Sequence, residues 1–372
     1  WLVSAEVVGD LCLVSVLALL GAVMNSDLSR RLAMVLFFLA AITVFLWVSS
    51  TRPKIMVLHS YDRDYVWTTE VNVGLERVLS GQSWIKLEYY YMRAKKSKDS
   101  DYLRRAGIAA QRAIDNFQPD VLIAIDDPAQ KLAAKDYVGD AKMQIVFAGV
   151  NGGTEAYGYP GAANVTGILE RKPVAALVET LQVLHRNQIE TTDSQQPIRV
   201  RFLADDSHSA HRDAEFLAAA DWGPVDYRGA THVDSFAEWQ QQVRQLRDQA
   251  DYLLVGAYRS LSAVCGEKDF EKPERVIGWT EENSALPMIG MNVFCSEDGT
   301  MLSVGISPYE QGEYAAKTAL RIIREQLQAG TVPVQMPQQY IVAMRKSALG
   351  KRGLQMPKIY EAFSRAANYY YE

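Results

Sequence analysis

The sequence predicts an α/β protein made of two Rossmann-like lobes and preceded by two transmembrane helices. Two observations lead to this prediction. The first fifty residues are almost free of charge and contain two apolar runs, and the remainder alternates short apolar runs with amphipathic segments. Apolar runs separated by amphipathic helices are typical of parallel strands covered on both faces.

Composition limits the number of folded units and the classes of partner. The chain has 372 residues and a formal net charge of −5. This length predicts two or three folded units, because a single core rarely grows so large. The acidic balance argues against nucleic acid as a partner, since proteins that follow phosphates carry a basic stripe. Five histidines and three cysteines leave little material for a metal cluster or a disulfide framework.

Residues 1–52 are expected to form a transmembrane helical hairpin. The apolar runs 11–24 and 32–48 approach the roughly 20 residues that a helix needs to cross a bilayer. A polar turn with two adjacent arginines separates them, and the positive-inside rule places this turn in the cytoplasm. Residues 53–372 are then expected in the periplasm, held at the inner membrane. A signal peptide is the alternative for the first run, but no basic segment precedes it.

Two series of strand and helix signals follow the apolar region. The first predicts strands at 55–58, 87–92, 121–125 and 145–148, and the second predicts strands at 198–203, 252–255, 287–290 and 301–306. A strong amphipathic helix over 309–327 closes the second series. Two βαβ series of similar size predict two lobes, and the cleft between two such lobes is a common ligand site.

Several short segments stand in a fixed order between residues 54 and 365. They are LHSY at 58–61, VW at 66–67, AIDDPA at 124–129, FAGVN at 147–151, VTGILE at 165–170 and GISPYEQG at 305–312. In this order they resemble the ABC-transporter substrate-binding family, which has the type I periplasmic-binding-protein fold. The resemblance implies crossed lobes, with lobe 1 over 53–165 and 288–330, and lobe 2 over 166–287 and the tail 331–372.

The resemblance implies a non-catalytic, membrane-anchored solute-binding protein. Its ligand would be a small, amino-acid-like organic molecule held between the lobes. Its partner would be a membrane-embedded protein contacted through residues 1–52. The alternative is an accessory subunit of a membrane complex that keeps the fold and has no ligand. Neither a nucleophile elbow nor a P-loop is present in the sequence, so no enzyme and no cofactor are predicted.

The candidate ligand-binding residues follow the predicted strands, where the cleft of an open α/β sheet lies. They are Ser60, Tyr61, Trp67, Asp126, Asp127 and Asn151 in the first series, and Asp206, Tyr258 and Asn292 in the second. Aromatic side chains supply flat apolar walls, and a carboxylate at a strand end accepts hydrogen bonds from an amine.

Most of these candidates also have a structural interpretation. In the structural interpretation, Trp67 packs lobe 1 against its own helix. Asp127 would then be the N-cap of a helix whose first position is Pro128. Asn151 precedes two glycines and fits a turn. Arg259 fits either a bidentate clamp on a carboxylate or an ordinary surface position.

Metal and disulfide chemistry receive little support from the sequence. The acidic and histidine-containing segment 205–211 is the one cluster with metal-like spacing, but it lacks a third histidine or cysteine nearby. We therefore predict no metal site. In an oxidising compartment Cys265 and Cys295 either pair or remain free, and the sequence leaves both outcomes open.

Overall fold

The computed structural model describes five stretches of the chain. They are residues 27–50, 52–97, 99–188, 196–263 and 269–372. The chain divides into a unit that ends at Pro53 and a compact unit from Lys54 to Glu372.

The first unit contributes one described helix, α1 (Asp27–Ser50). Its large apolar side chains between Leu32 and Val44 are exposed within the unit. No helix in the described stretches is both long enough and apolar enough to cross a membrane. The predicted pair of transmembrane helices is therefore not supported. The other predicted span, 11–24, lies outside the described residues.

Lobe 1 is built on a parallel five-stranded sheet with the order β2-β1-β3-β4-β5. The strands are β1 (Lys54–His59), β2 (Lys86–Tyr91), β3 (Val121–Ile125), β4 (Gln144–Val150) and β5 (Val165–Leu169). The helices are α2 (Val66–Leu79), α3 (Ser100–Phe117) and α4 (Asp126–Leu132). β3 and β5 are buried along their whole length. Burial on both faces explains why these strands are uninterrupted apolar runs in the sequence.

Lobe 2 is built on a seven-stranded sheet with the order β12-β11-β10-β9-β8-β6-β7. The strands are β6 (Ile198–Asp205), β7 (Val225–Val233), β8 (Tyr252–Val255), β9 (Met288–Gly290), β10 (Leu302–Ile306), β11 (Tyr340–Arg345) and β12 (Tyr370–Tyr371). Its helices are α5 (Val174–Gln188), α6 (His208–Ala219), α7 (Phe236–Gln245), α8 (Pro273–Asn283), α9 (Phe294–Asp298), α11 (Lys346–Lys351) and α12 (Lys358–Ala366). The helix α10 (Pro308–Glu325) lies between α9 and α11 in the chain and belongs to lobe 1. All strand pairs of lobe 2 are parallel except β10 with β11.

α10 crosses back and packs against α2 of lobe 1. Two glycines allow this crossing, because a Cβ on Gly74 would lie 2.1 Å from the carbonyl oxygen of Tyr309, and one on Gly312 would lie 2.0 Å from that of Val71. The predicted return segment 288–330 needs correction. β9 and β10 pair within the sheet of lobe 2, so the return to lobe 1 begins only with α10.

Candidate functional site

A cleft lies between the lobes, at the carboxyl ends of their parallel strands. Its narrow part, which we call the inner compartment, is lined by Tyr61, Tyr65, Trp67, Lys95, Asp126, Asn151, Glu170, Lys172, Ser209, Asp213, Ala257, Asn292 and Phe294. It contains about 400 Å³ free of protein atoms, and the centre of a water molecule can occupy about 40 Å³ of that space. The inner compartment is therefore nearly closed in this conformation.

One wall of the inner compartment is aromatic and carries a cation. The rings of Tyr61 and Tyr65 meet edge to face, with centroids 5.2 Å apart. The Lys95 ammonium lies 4.4 Å and 4.3 Å from the centroids of these two rings, and it donates to the Tyr65 hydroxyl at 2.7 Å. Cation–π contact and the hydrogen bond hold this ammonium against lobe 1.

Asp126 is a buried carboxylate in an unusual backbone conformation. Its φ is 65°, in the left-handed region that side-chain-bearing residues seldom adopt, and its side chain is 3% exposed. The Oδ2 atom of Asp126 and the buried Nε1 atom of Trp67 make no hydrogen bond of ordinary geometry, although the indole N–H lies close enough to the carboxyl group to act to lower its pKa. Burial and the neighbouring Glu170 carboxylate raise the pKa of Asp126 well above its ordinary value. Strain and unpaired buried polar atoms mark this place as a candidate ligand contact.

Lys172 is the centre of a buried polar network. Its ammonium donates to Glu170 Oε1 at 3.0 Å and to Asn292 Oδ1 at 2.9 Å, and lies 3.3 Å from Asp213 Oδ2. Burial alone would lower the pKa of Lys172, but the attraction of the two carboxylates overcomes it and the pKa is raised. All three ammonium protons therefore have protein acceptors.

The same network joins the two lobes directly. The Asn151 side-chain amide, at the end of β4, donates to Asp213 Oδ1 on α6 at 3.1 Å. Burial and the Glu170 carboxylate raise the pKa of Asp213 to about 6, although Lys172 acts to lower it. Arg171, in the segment that crosses between lobes, donates to the carbonyl oxygens of Val150, Asn151 and Gly152.

A wider part of the cleft, the outer compartment, lies beside the inner one. It is lined by Tyr61, Ala94, Lys95, Ser97, Leu103, Pro128, Lys131, Leu132, Asp206, Ser207, His208, Ser209, Ser260 and Phe270. Water-sized molecules can occupy about 390 Å³ of it. The two compartments share Tyr61, Lys95 and Ser209, so they are adjacent.

The structure brings five of the nine predicted residues into the inner compartment: Tyr61, Trp67, Asp126, Asn151 and Asn292. Asp206 lines the outer compartment instead, exposed and paired with His211 at 2.7 Å.

The remaining three predicted residues make internal contacts instead. Ser60 donates to the Ile125 carbonyl at 2.7 Å and accepts from the Ala129 amide at 2.7 Å, which ties β1 to the start of α4. Asp127 accepts from the Asn151 amide at 3.0 Å and from the Tyr157 hydroxyl at 2.6 Å. Its carboxylate thus braces the loop after β4 and makes no helix cap.

Tyr258 is fully buried in lobe 2, where its hydroxyl donates to Asp298. Arg259 donates to the same carboxylate and lies over the Phe294 ring. Neither side chain lines the inner or the outer compartment. Among the described residues no group of three or more His, Cys, Asp or Glu side chains could hold a metal ion. Cys295 is a buried free thiol, and Cys265 lies outside the described residues.

Sequence reasoning missed the charged network of the cleft, namely Lys95, Glu170, Lys172 and Asp213. Glu170 and Lys172 directly follow β5, so the rule that sites form at strand ends would have found them. Asp213 sits inside α6, and Lys95 lies in a short turn after β2. Those positions carry no local signal of a site.

Solved structures with a similar fold include a substrate-binding protein and a domain with a bound amino acid. A domain from Streptococcus pneumonia, solved in complex with L-Trp, matches with a TM-score of 0.62 and 16% identity, over 84% of this chain and 98% of that chain. A conserved domain protein from Vibrio cholerae matches with a TM-score of 0.60 and 16% identity, over 84% of this chain and 99% of that chain.

A third structure is the ligand-free, open form of a substrate-binding protein with adhesive properties from Clostridium difficile. It matches with a TM-score of 0.57 and 15% identity, over 82% of this chain and 96% of that chain. No protein-family model and no curated protein matches the sequence. At these identities the similarity shows the fold, a two-lobed α/β binding-protein fold with parallel sheets, and function must be argued from the site.

Proposed function

We propose that this protein is a non-catalytic receptor that binds a small organic molecule with an amino group, as an amino acid has, between its lobes. The observation that carries the proposal is the buried Asp126 carboxyl group, whose Oδ2 atom lacks a hydrogen bond of ordinary geometry, in an aromatic-walled cleft. An unpaired buried carboxylate is costly, and an amine from a ligand would satisfy it. The neighbour solved with L-Trp supports a ligand of this size.

Ligand-dependent thermal stability tests this proposal on the full chain. A panel of amino acids and small amines is added at increasing concentration while unfolding is followed. A true ligand stabilises the folded state by about 2.7 kcal/mol at a hundredfold excess over its dissociation constant. The same ligand is expected to stabilise the Asp126→Asn variant far less.

Asparagine is the appropriate replacement at Asp126 because it tolerates left-handed backbone better than other side chains. The control is Asp248→Asn, which changes an exposed acid outside the cleft. Equal stabilisation of all three proteins by the ligand would contradict the assignment of Asp126.

The proposal extends to location and partner. We place residues 53–372 in the periplasm at the inner membrane, where a membrane protein reads the closed form. The apolar side chains exposed on α1 support a lipid or protein contact through residues 1–52. Cell fractionation, followed by protease treatment of spheroplasts, tests this: residues 53–372 should be cut without lysis, and protection until lysis would refute the location.

The alternative is an accessory subunit that keeps the fold without a ligand. It is favoured by an exposed apolar groove between α5, β11 and α12, where Ile359 is 57% and Phe363 is 67% exposed. Exposed apolar surface of this kind is typical of contact with other proteins. Co-purification with a membrane partner in fixed stoichiometry, together with no stabilisation by any compound of the panel, would favour the accessory subunit.

A further inference from the structure

The charges of the inner compartment do not balance. Two lysines and three carboxylic acids line it: the cations Lys95 and Lys172, and the acids Asp126, Glu170 and Asp213. Lys172 is matched by Glu170 and Asp213, and all its protons have acceptors. Asp126 is the acid that keeps an oxygen without a hydrogen-bond partner. With all five groups ionised the net charge is −1, and either a proton on Asp126 or a cationic ligand beside it brings the compartment to neutrality.

A ligand carboxylate would find few free donors here. The Lys172 protons are occupied, and the Lys95 ammonium is held by the Tyr65 hydroxyl and by two aromatic rings. The remaining donor, the Trp67 indole N–H, lies beside Asp126, whose carboxylate would repel that of a ligand. A zwitterion adds no net charge, so its ammonium cannot replace the proton of Asp126 without leaving the compartment with a net charge of −1. A buried uncompensated charge is expensive, so the charge balance favours a cation over a zwitterion.

The inner compartment is too small for a whole ligand. The 40 Å³ open to water centres corresponds to about three water molecules at 10–15 Å³ each. This is room for an ammonium group and one or two carbons. The rest of the molecule must lie in the outer compartment, which is about ten times larger by the same measure.

The outer compartment has an apolar wall on the side of lobe 1. Ala94, Leu103, Pro128 and Leu132 line this side. The facing hydroxyls of Ser207 and Ser209 lie 3.3 Å apart and bond to each other, so they do not require a partner from the ligand. A ligand that extends along this wall gains free energy by burying apolar surface.

We infer that the ligand is a singly charged organic amine without a carboxylate, whose ammonium contacts Asp126 and whose apolar arm lies against Leu103 and Leu132. This inference rests on the proposed function and names the chemical class of its ligand. It differs from an amino acid in the absent carboxylate and in the use of the outer compartment.

Binding of such an amine should release a proton from Asp126. Burial and the carboxylates of Glu170 and Asp127 raise the pKa of Asp126. The Lys95 ammonium and the Trp67 indole N–H act to lower it, and the Tyr61 phenol also faces this carboxyl group. These surroundings therefore act in favour of the protonated form of Asp126, whereas an ammonium in contact with it acts in favour of the carboxylate. When R–NH₃⁺ binds, the Asp126 carboxylic acid gives its proton to the solvent and the carboxylate pairs with the ammonium. A neutral ligand leaves the proton in place.

Calorimetry of the full chain tests both halves of the inference. Tryptamine is compared with L-tryptophan at pH 7, in buffers of different ionisation enthalpy that report the number of protons released. We expect tryptamine to bind at least tenfold more tightly, with a binding heat that varies with the buffer because protons are released. Asp126→Asn should abolish the release, and the control Asp248→Asn should retain it.

A series of propylamine, hexylamine and nonylamine tests the apolar arm. Affinity should rise about fourfold per methylene, which corresponds to about 0.8 kcal/mol for each buried CH₂. Leu103→Asn should flatten this dependence. Ile108→Asn should not, because Ile108 is a partly exposed residue of the same helix that lines neither compartment.

The outcomes separate the inference from the proposed function. Tighter binding of L-tryptophan than of tryptamine, or no proton release, would overturn the cationic amine and leave the receptor function in place. Affinity that does not depend on chain length would overturn the role of the outer compartment. If no amine and no amino acid binds the full chain, the proposed function fails together with the inference.

Discussion

At the scale of single residues, the cleft buries three charged side chains in direct contact with one another. Glu170, Lys172 and Asp213 share one site, where two carboxylates compete for a single ammonium. Buried pairs of this kind seldom add net stability, but breaking one leaves an uncompensated charge. The triad therefore makes this region sensitive to pH and to substitution, and less tolerant than an apolar core of equal volume.

Asp213 is expected to make stability depend on pH. Its pKa is raised from an ordinary value of 3.8 to about 6, so the folded state holds the proton more tightly than the unfolded state does. This contribution is present at low pH and is lost as the pH rises through 6. Between pH 6 and pH 4 it should increase the free energy of unfolding by up to about 1.4 kcal/mol per pH unit.

Urea unfolding of wild type and Asp213→Asn across this range measures the contribution as a difference. Other groups titrate in the same window, among them His59, whose burial lowers its pKa to about 4. The contributions of these other groups cancel when the free energy of unfolding of the variant is subtracted from that of the wild type. A difference that stays constant from pH 4 to pH 6 would mean that Asp213 has an ordinary pKa.

At the scale of elements, the crossing of α2 and α10 holds the returning helix on lobe 1. The carbonyl oxygens of Tyr309 and Val71 lie where the Cβ atoms of Gly74 and Gly312 would otherwise be. Both glycines lack a positive φ, so they are needed for space and not for backbone conformation. Close approach of two backbones is a reason for glycine that helix propensity alone would oppose.

Gly312→Ala is expected to destabilise the protein by about 3 kcal/mol, because the added methyl group overpacks a contact made by backbone atoms. The matched control is Gly278→Ala in α8, where nothing lies within 4 Å of the added Cβ. That change should stabilise the helix by up to about 1 kcal/mol. Denaturant midpoints measure both, and equal midpoints for the two variants would refute the packing argument.

At the scale of the whole two-lobed unit, hydrogen bonds between protein groups link the two lobes across the cleft. The direct link from Asn151 to Asp213 and the Lys172 network join the lobes across the narrow end. Such bonds shift the balance between open and closed forms by the free energy that they supply in the closed form alone. The resting protein is expected to favour the closed arrangement.

Asn151→Leu should shift this balance toward the open form, because it removes the amide that bridges to Asp213 and keeps a side chain of similar size. Small-angle X-ray scattering of the ligand-free full chain should then give a larger radius of gyration than the wild type does. The control Asn283→Leu changes an exposed amide at the end of α8. An unchanged radius in Asn151→Leu would show that other contacts keep the lobes together.

The sequence predicts the two-lobed architecture well and the site only in part. Strands such as β3 and β10 are buried on both faces, so their apolar runs identify them without tertiary information. The division between the lobes was harder to predict. The apolar runs of β9 and β10 identify them as buried strands but do not show which of the two sheets they join. Asp213 and Lys95 could not be predicted as site residues, since only the closure of one lobe on the other brings them to the cleft.

Trp67 gives this cleft a built-in optical reporter. Its indole N–H lies beside the carboxylate assigned to the ligand, and the residue is 7% exposed. A guest molecule at Asp126 changes the charge next to the ring, and indole emission shifts in wavelength when such a charge appears. The chain has seven tryptophans, so subtracting the spectrum of Trp67→Phe isolates this signal. Occupancy should therefore be readable by fluorescence without any attached dye.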